Sequence, residues 1–175
     1  MAACDIEVFD EESCETPVAG VEYVYYSSQK DVLSISAAAN YTVVTIVNKT
    51  GKSFKKFPAS KRSMQYLPDV TSDDPDSKAL MTLVKGYVKN ITAINQKAMD
   101  NMTGELILIV GLNSGKVMII GDLLTGAYFA SSKGDSGTNQ SGQKNGYTIE
   151  FKKEGGTHTD YVYSGDAQLL LQLGA

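Results

Sequence analysis

The stretch LILIVGLNSGKVMIIG, residues 106–121, decides the fold class. Two short, mainly apolar runs, 106–110 and 116–120, flank an Asn-Ser-Gly turn at 113–115. Asn and Gly accept the backbone angles of tight turns, so this pattern predicts a β-hairpin. Because neither run alternates with polar residues, we expect both strands to be buried on both faces.

Further strands are predicted before this hairpin. Residues 21–26 are apolar or aromatic on both faces, and residues 41–47 (YTVVTIV) are almost wholly β-branched or aromatic. A turn at 48–52, rich in residues that accept positive φ, precedes an extended pattern at 53–57. We therefore expect a second hairpin over residues 41–57.

The strands predicted after residue 121 lie near the carboxyl end. Tyr147, Ile149 and Phe151 alternate with polar residues, which predicts a strand with one face in water. A Gly-Gly turn follows and leads into a last strand at 159–164, and an apolar segment occupies 167–173.

One short helix is predicted between the two halves. Residues 80–90 fit both helical spacing and a two-faced strand, and Gly86 favours the strand. Thr92 is the predicted N-cap of a helix over 93–102, and Gly104 stands at the predicted C′ position. The apolar residues expected on one helix face are Ile91, Ile94, Ala98 and Met102.

The remaining segments predict irregular structure around a single domain. Residues 1–20 are acidic and predict an extended arm, and residues 21–175 predict one domain. Prolines bracket residues 58–78, which predicts a long loop, and a Gly- and Ser-rich composition predicts a flexible loop at 131–146. We expect a mainly β fold, an antiparallel β-barrel or sandwich of about seven or eight strands with one short flanking α-helix.

Charge and hydropathy exclude several classes of partner. The formal net charge is -4, and Lys and Arg do not cluster, so we expect no specific binding of nucleic acid. An acidic surface can still let a DNA duplex pass without sticking. No stretch approaches the roughly 18 apolar residues of a membrane span, so we expect a protein made in the cytoplasm with no membrane partner.

The residues that could carry catalysis lack partners in the sequence. His158 is the only histidine and lies in a Gly-rich turn, where a solvated role is the usual one. Cys4 and Cys14 lie among carboxylates, which raise rather than lower a thiol pKa, and two cysteines with one histidine are too few for a zinc site. We therefore expect no enzyme, no catalytic residue and no metal.

Two further sequence patterns are similar to ligand-binding motifs. Gly111, Gly115 and Gly121 are explained by the hairpin, because no Gly-Lys-Ser/Thr ending follows them. The acidic residues of the segment at 73–76 (Asp73, Asp74 and Asp76) are interrupted by a proline and lack the glycine and glutamate of a calcium loop. We expect no bound cofactor at either place.

The chain has more apolar and aromatic material than a small β-domain needs. It contains ten tyrosines and no tryptophan, strands that are apolar on both faces, and the leucine-rich segment at 167–173. Both self-association and one large core would account for this surplus.

The order of four stretches resembles the tail tube and tube-like structural proteins of tailed bacteriophages. They are SCETPVAGVEYVY at 13–25, the strand and helix of 80–103, the hairpin of 106–121, and GYTIEF at 146–151. This resemblance spans about two thirds of the chain and includes no catalytic signature.

The resemblance implies a virion structural protein, with a β-barrel and a flanking helix. It implies homo-hexameric rings, stacked around the channel through which DNA passes at ejection, together with other virion tail proteins as partners. A tail hub, neck or adaptor protein of the same virion remains an alternative, and so does a monomeric β-sandwich binding module that uses the loop at 131–146.

Overall fold

The computed structural model describes residues 20–38, 41–60, 63–74, 77–136, 145–155 and 160–163, and most of them lie in strands. This confirms the predicted mainly β class with one helix. The helix α1 spans Ala93–Asp100, and Gln29–Asp31 form a short 3-10 turn. The strands are β1 (Val21–Ser28), β2 (Val32–Ala37), β3 (Thr42–Asn48), β4 (Lys55–Lys56), β5 (Gln65–Asp74), β6 (Ser77–Lys89), β7 (Glu105–Leu112), β8 (Val117–Ile120), β9 (Ala127–Asp135), β10 (Gly146–Glu154) and β11 (Tyr161–Tyr163).

These strands form one mixed sheet that is not closed into a barrel, so the architecture is sandwich-like. Neighbouring strands follow the order β2-β3-β11-β8-β7-β9-β10-β6-β5, while β1 pairs with β7 and with β4. The strand β11 runs parallel to β3 and antiparallel to β8. The expectation of a purely antiparallel sheet is therefore wrong, because β11 returns from far along the chain to pair with β3, and local sequence patterns do not encode such a return. The expected number of about seven or eight strands is also too low, since the sheet has 11 within the described residues.

The predicted central hairpin is confirmed, and it separates two hydrophobic cores. Leu108 of β7 pairs with Ile120 of β8, and six consecutive residues of β7 are buried. Leu108 and Val110 face the first core, whereas Ile107 and Ile109 face the second. This two-sided burial explains why the sequence of β7 does not alternate. Other buried members are Phe57, Val84, Ile149 and Phe151 in the first core and Val43, Ile46, Phe54 and Ile119 in the second.

The predicted long loop at 58–78 is wrong, because most of this segment belongs to an antiparallel hairpin. The strand β5 pairs along β6, with Pro68 opposite Thr82 and Val70 opposite Leu80. Since β5 is the last strand of the sheet, the missing N–H of Pro68 does not interrupt a second ladder. The strand predicted over residues 80–90 is confirmed within β6.

The predicted hairpin over residues 41–57 is also wrong in its second half. The backbone turns at the hydrogen bond from Lys52 N to Lys49 O, but the chain then crosses to β1, where Lys56 pairs with Tyr25. Phe54 is buried in the second core and Phe57 in the first. The burial of two aromatic rings on opposite sides of β1 and β7 therefore decides the path of this segment.

The predicted loop at 131–146 begins too early, because β9 continues to Asp135 and pairs with β10. Backbone pairing with β10, where Tyr147 and Ile149 have high β propensity, compensates for the polar composition of residues 131–135. Residues 137–144 of that loop, most of the arm at 1–20 and the apolar segment at 167–173 lie outside the described residues.

The helix is confirmed, but its end and its buried face differ from the prediction. Thr92 caps it, since its Oγ1 accepts a hydrogen bond from Asn95 N at 3.2 Å. The helix ends at Asp100 rather than at 102, and Gly104 lies beyond the cap in the turn before β7. Of the residues predicted on the apolar face, Met102 packs on the first core, whereas Ile91 and Ile94 are exposed, and Met99 packs beside Met102 instead.

Candidate functional site

A buried ionic cluster is the most chemically distinctive feature of the described residues. Lys153 Nζ lies 3.1 Å from Asp160 Oδ1, and the two side chains are only 4% and 1% exposed. Thr82 donates its hydroxyl hydrogen bond to Asp160 Oδ2 at 2.6 Å, and the hydroxyl of Tyr66 donates to the same oxygen at 3.0 Å. We call these four residues the buried ionic cluster.

The cluster connects four segments of the chain, of which those carrying Lys153 and Asp160 are only seven residues apart. Tyr66 lies on β5, Thr82 on β6 and Lys153 on β10, whereas Asp160 directly precedes β11. A buried carboxylate needs compensating hydrogen bonds, and this one receives an ammonium group and two hydroxyl groups. These contacts with Asp160 therefore connect the terminal strand β5 with β6 and β10.

The electrostatics of the cluster oppose a role in proton transfer. Burial raises the pKa of Tyr66 above its ordinary value, and the negative charge of Asp160 and the hydrogen bond to it raise this pKa further. The phenol is thus held in its protonated form, which makes it a poor base and a poor nucleophile. The cavity beside the cluster measures about 10 Å³, enough for roughly one water molecule and too small for a substrate.

The raised pKa of Tyr66 predicts a loss of stability at alkaline pH. Between the ordinary tyrosine pKa of about 10 and the higher folded value, the unfolded chain binds fewer protons than the folded chain, so stability falls as pH rises. We expect the stability advantage of the native protein over Tyr66→Phe to shrink above pH 10. Urea unfolding of both proteins at pH 7, 9 and 10.5 measures this difference, and a difference that does not change with pH would contradict the assignment.

A second cavity, apolar and about 60 Å³ in volume, opens between α1 and the first core. We call it the helix socket, and its lining includes Phe57, Val88, Ala98, Met99 and Met102. Methionine side chains adapt their shape readily, so the socket suits a small aliphatic group. The residues that line it are uncharged.

Three strands have a single partner among the described residues, and the two longest of them, β2 and β5, form a third candidate feature because they end the main strand order. Among the described residues, β2 pairs only with β3, and β5 pairs only with β6. Exposed apolar side chains lie on both strands, with Leu33 at 59%, Leu67 at 44% and Val70 at 50% exposure. Such edges can pair with another chain.

The structure describes only some of the residues that the sequence suggested as sites, and Asp76 is among those outside the described residues. His158, Cys4 and Cys14 lie outside the described residues. Asp73 and Asp74 belong to β5, and no group of three or more His, Cys, Asp or Glu residues that could hold a metal exists within the described part of the chain.

The three glycines have structural roles. A Cβ atom at Gly111 would overlap the ring of Tyr23, which is its cross-strand neighbour in β1. Gly115 and Gly121 have φ angles of 83° and 92°, which other residues rarely adopt. The prediction that a hairpin explains these glycines therefore agrees with the structure.

Sequence reasoning missed the buried ionic cluster, although part of its signal was present. Ile149, Phe151 and Lys153 are two residues apart, so the alternation that buries the first two also buries Lys153. No comparable signal identifies Asp160 or Tyr66, because their meeting depends on long-range strand pairing.

Comparison of the chain with protein-family models, curated proteins and solved structures found no match. Among the described residues, no helix has the length and apolar character needed to cross a membrane.

Proposed function

We propose that this chain is a structural subunit that assembles with copies of itself by strand pairing, as the tube subunit of a bacteriophage tail. The observation that carries the proposal is the pair of open sheet edges, β2 and β5, each with exposed apolar side chains. An exposed apolar edge invites aggregation in a protein that stays single, whereas an assembling subunit uses it for pairing. The cavity beside the buried ionic cluster holds about one water molecule and the lining of the helix socket is uncharged, which fits a role without catalysis at these two places.

The two edges differ in length and sequence, which favours a directional contact. The strand β2 has six residues and β5 has ten. Pairing β5 of one copy with β2 of the next joins two different surfaces, and repetition of such a contact closes into a ring when the rotation permits. A hexameric ring that stacks on further rings would give a tube whose lumen carries DNA.

Rigidity of the β5 edge supports this mode of assembly. Tyr66 of β5 and Thr82 of β6 both donate hydrogen bonds to Asp160, so the buried ionic cluster holds the terminal hairpin in place. An edge that is already ordered loses less conformational entropy when it pairs with another chain.

The acidic net charge is compatible with DNA passage. At -4 per chain, a ring of copies would repel a duplex weakly rather than hold it. The proposal therefore includes no specific DNA contact. It places the protein in the virion tail after synthesis in the cytoplasm of a bacterial host.

Replacing Leu67 by lysine tests the edge contact. Leu67 is exposed on β5, and a lysine there keeps the strand but opposes pairing with another chain. We expect Leu67→Lys to weaken association at least about tenfold, since burial of one leucine contributes about 1.5–3 kcal/mol. Sedimentation velocity and negative-stain microscopy compare the variant with the native protein.

Thr148→Lys is the matched control, because Thr148 is exposed on β10, which lies between two other strands of the sheet. This control should assemble like the native protein, and both variants should keep the native melting temperature within a few degrees. A native protein that stays monomeric at high concentration would refute self-assembly and favour a monomeric binding module. Normal assembly of Leu67→Lys would refute the role of the β5 edge.

A further inference from the structure

A short loop between β8 and β9 presents a leucine to solvent in a fixed position. Leu124 is 90% exposed, more than the other large apolar side chains of the described residues, and its neighbour Leu123 is also exposed. We call residues 121–126 the leucine tip. A single exposed leucine is ordinary, but one at the apex of an ordered turn has a defined direction.

The order of the leucine tip comes from Asp122. Its Oδ1 accepts hydrogen bonds from the backbone N–H groups of Leu124 and Thr125, both at 2.7 Å. Its backbone N–H donates to Thr125 O, and its carbonyl oxygen accepts from Gln29 Nε2 at 2.8 Å. These four bonds fix the turn, so binding through Leu124 requires little further ordering.

The helix socket has the size and chemistry to receive this side chain. Its volume of about 60 Å³ is several times the roughly 10–15 Å³ that one water molecule needs by the same measure, so the socket has room for a small aliphatic group such as the branched end of a leucine. Ala98, Met99 and Met102 are among the residues that line it. In the monomer, Leu124 is in solvent rather than in its own socket.

The charges around the two surfaces are complementary. Near the socket lie Lys89, which lines the adjoining cleft, Lys97 on α1, and the Lys55–Lys56 pair of β4 that precedes the socket residue Phe57. None of these lysines forms an ion pair with another described residue, and Asp100 is the one acidic residue of α1.

The leucine tip has the opposite sign. Its own ionisable residue is Asp122, and the exposed Glu105 lies beside Gly126 at the base of the loop. A basic surround at the socket and an acidic surround at the tip would attract each other and orient the approach of a second chain.

From this match we propose that the leucine tip of one copy inserts Leu124 into the helix socket of a second copy. The proposal rests on the self-assembly proposed above and names a contact distinct from the β2 and β5 edges. Since tip and socket are different surfaces, the contact can propagate from copy to copy.

Disulfide trapping between two variants tests this contact directly. In a background with Cys4→Ser and Cys14→Ser, Leu124→Cys is mixed with Ala98→Cys under mild oxidation, and products are separated on a non-reducing gel. We expect a disulfide-linked dimer that contains one copy of each variant. The control mixture pairs Ala98→Cys with Val47→Cys, because Val47 is an exposed apolar residue on β3 outside the tip. Equal cross-linking in both mixtures, or none with Leu124→Cys, would overturn the proposal.

Sedimentation of Leu124→Ser separates this proposal from self-assembly itself. We expect the dissociation constant of the contact to rise about 10- to 100-fold, while Val47→Ser leaves it unchanged. If the native protein assembles and Leu124→Ser assembles equally well, the tip contact is refuted and edge pairing stands. If the native protein does not assemble, both proposals fail.

Discussion

Lys153→Met is expected to lower the free energy of unfolding by about 3–5 kcal/mol. The substitution keeps the length and apolar stem of the side chain but removes the ammonium group 3.1 Å from Asp160 Oδ1. The carboxylate then stays buried with only the hydroxyl groups of Thr82 and Tyr66 as donors. Urea denaturation at pH 7, followed by far-UV circular dichroism, measures the loss.

Lys152→Met is the matched control for this prediction. Lys152 is the preceding residue on β10, and its ion pair with Glu154 lies at the surface, with Glu154 53% exposed. Surface pairs contribute about 0–1 kcal/mol, so the control should unfold close to the native midpoint. If the two substitutions lowered the free energy of unfolding equally, the buried ionic cluster would not be a source of stability.

A double variant distinguishes the ion pair from the hydrogen bonds around it. Combining Lys153→Met with Asp160→Leu removes both charges, and such replacements are often neutral when no other group depends on them. Here the hydroxyl groups of Thr82 and Tyr66 would lose their hydrogen-bond acceptor. Each buried hydroxyl left without a partner lowers the free energy of unfolding by about 1–3 kcal/mol. We therefore expect the double variant to regain only part of the lost stability.

The parts of the fold that the sequence predicts are those determined by local pattern. The hairpin of β7 and β8 was predictable because uninterrupted apolar runs on both sides of an Asn-Ser-Gly turn have few alternatives. The strand β10 was predictable because apolar and polar residues alternate along it. The start of α1 was predictable because Thr92 is of a residue type that caps helix N-termini. In each case the deciding residues lie within one short stretch of the chain, the longest being 106–121.

The errors arise where long-range pairing overrides local preference. Prolines predicted a loop at 58–78, but an edge strand tolerates Pro68 because one of its sides needs no ladder partner. The Gly- and Ser-rich residues 131–135 form a strand because β10 supplies a partner of strong β character.

The same distinction applies to the candidate sites. Alternation along β10 predicts the burial of Lys153, whereas its partner Asp160 precedes a three-residue strand that lies between β3 and β8. Composition predicts the surplus of apolar residues, but it does not predict which of them are buried and which are exposed. Within the described residues, many apolar side chains lie in two cores on either side of β7, and others are exposed, among them Leu33, Leu67, Val70 and Leu124.

Ile149→Asp is expected to abolish cooperative folding. Ile149 is buried on β10 in the first core and pairs with Gly86 on β6 and Ser132 on β9. Loss of the aliphatic side chain alone costs about 2–5 kcal/mol, and an unpaired carboxylate in the core adds several more. Since domains of this size are stable by about 5–15 kcal/mol, the sum reaches the whole stability of the fold.

The neighbouring residue provides the control for this substitution. Thr148 is exposed on the opposite face of β10, so Thr148→Asp introduces the same charge one position away and should cost less than about 1 kcal/mol. Ile149→Val, which removes one methylene group, should cost about 0.5–1.5 kcal/mol. Thermal unfolding followed by near-UV circular dichroism compares the three variants. A soluble Ile149→Asp protein with a sharp transition near that of the native chain would place Ile149 outside the core, and the two-faced arrangement of strands around β7 would have to be reassigned.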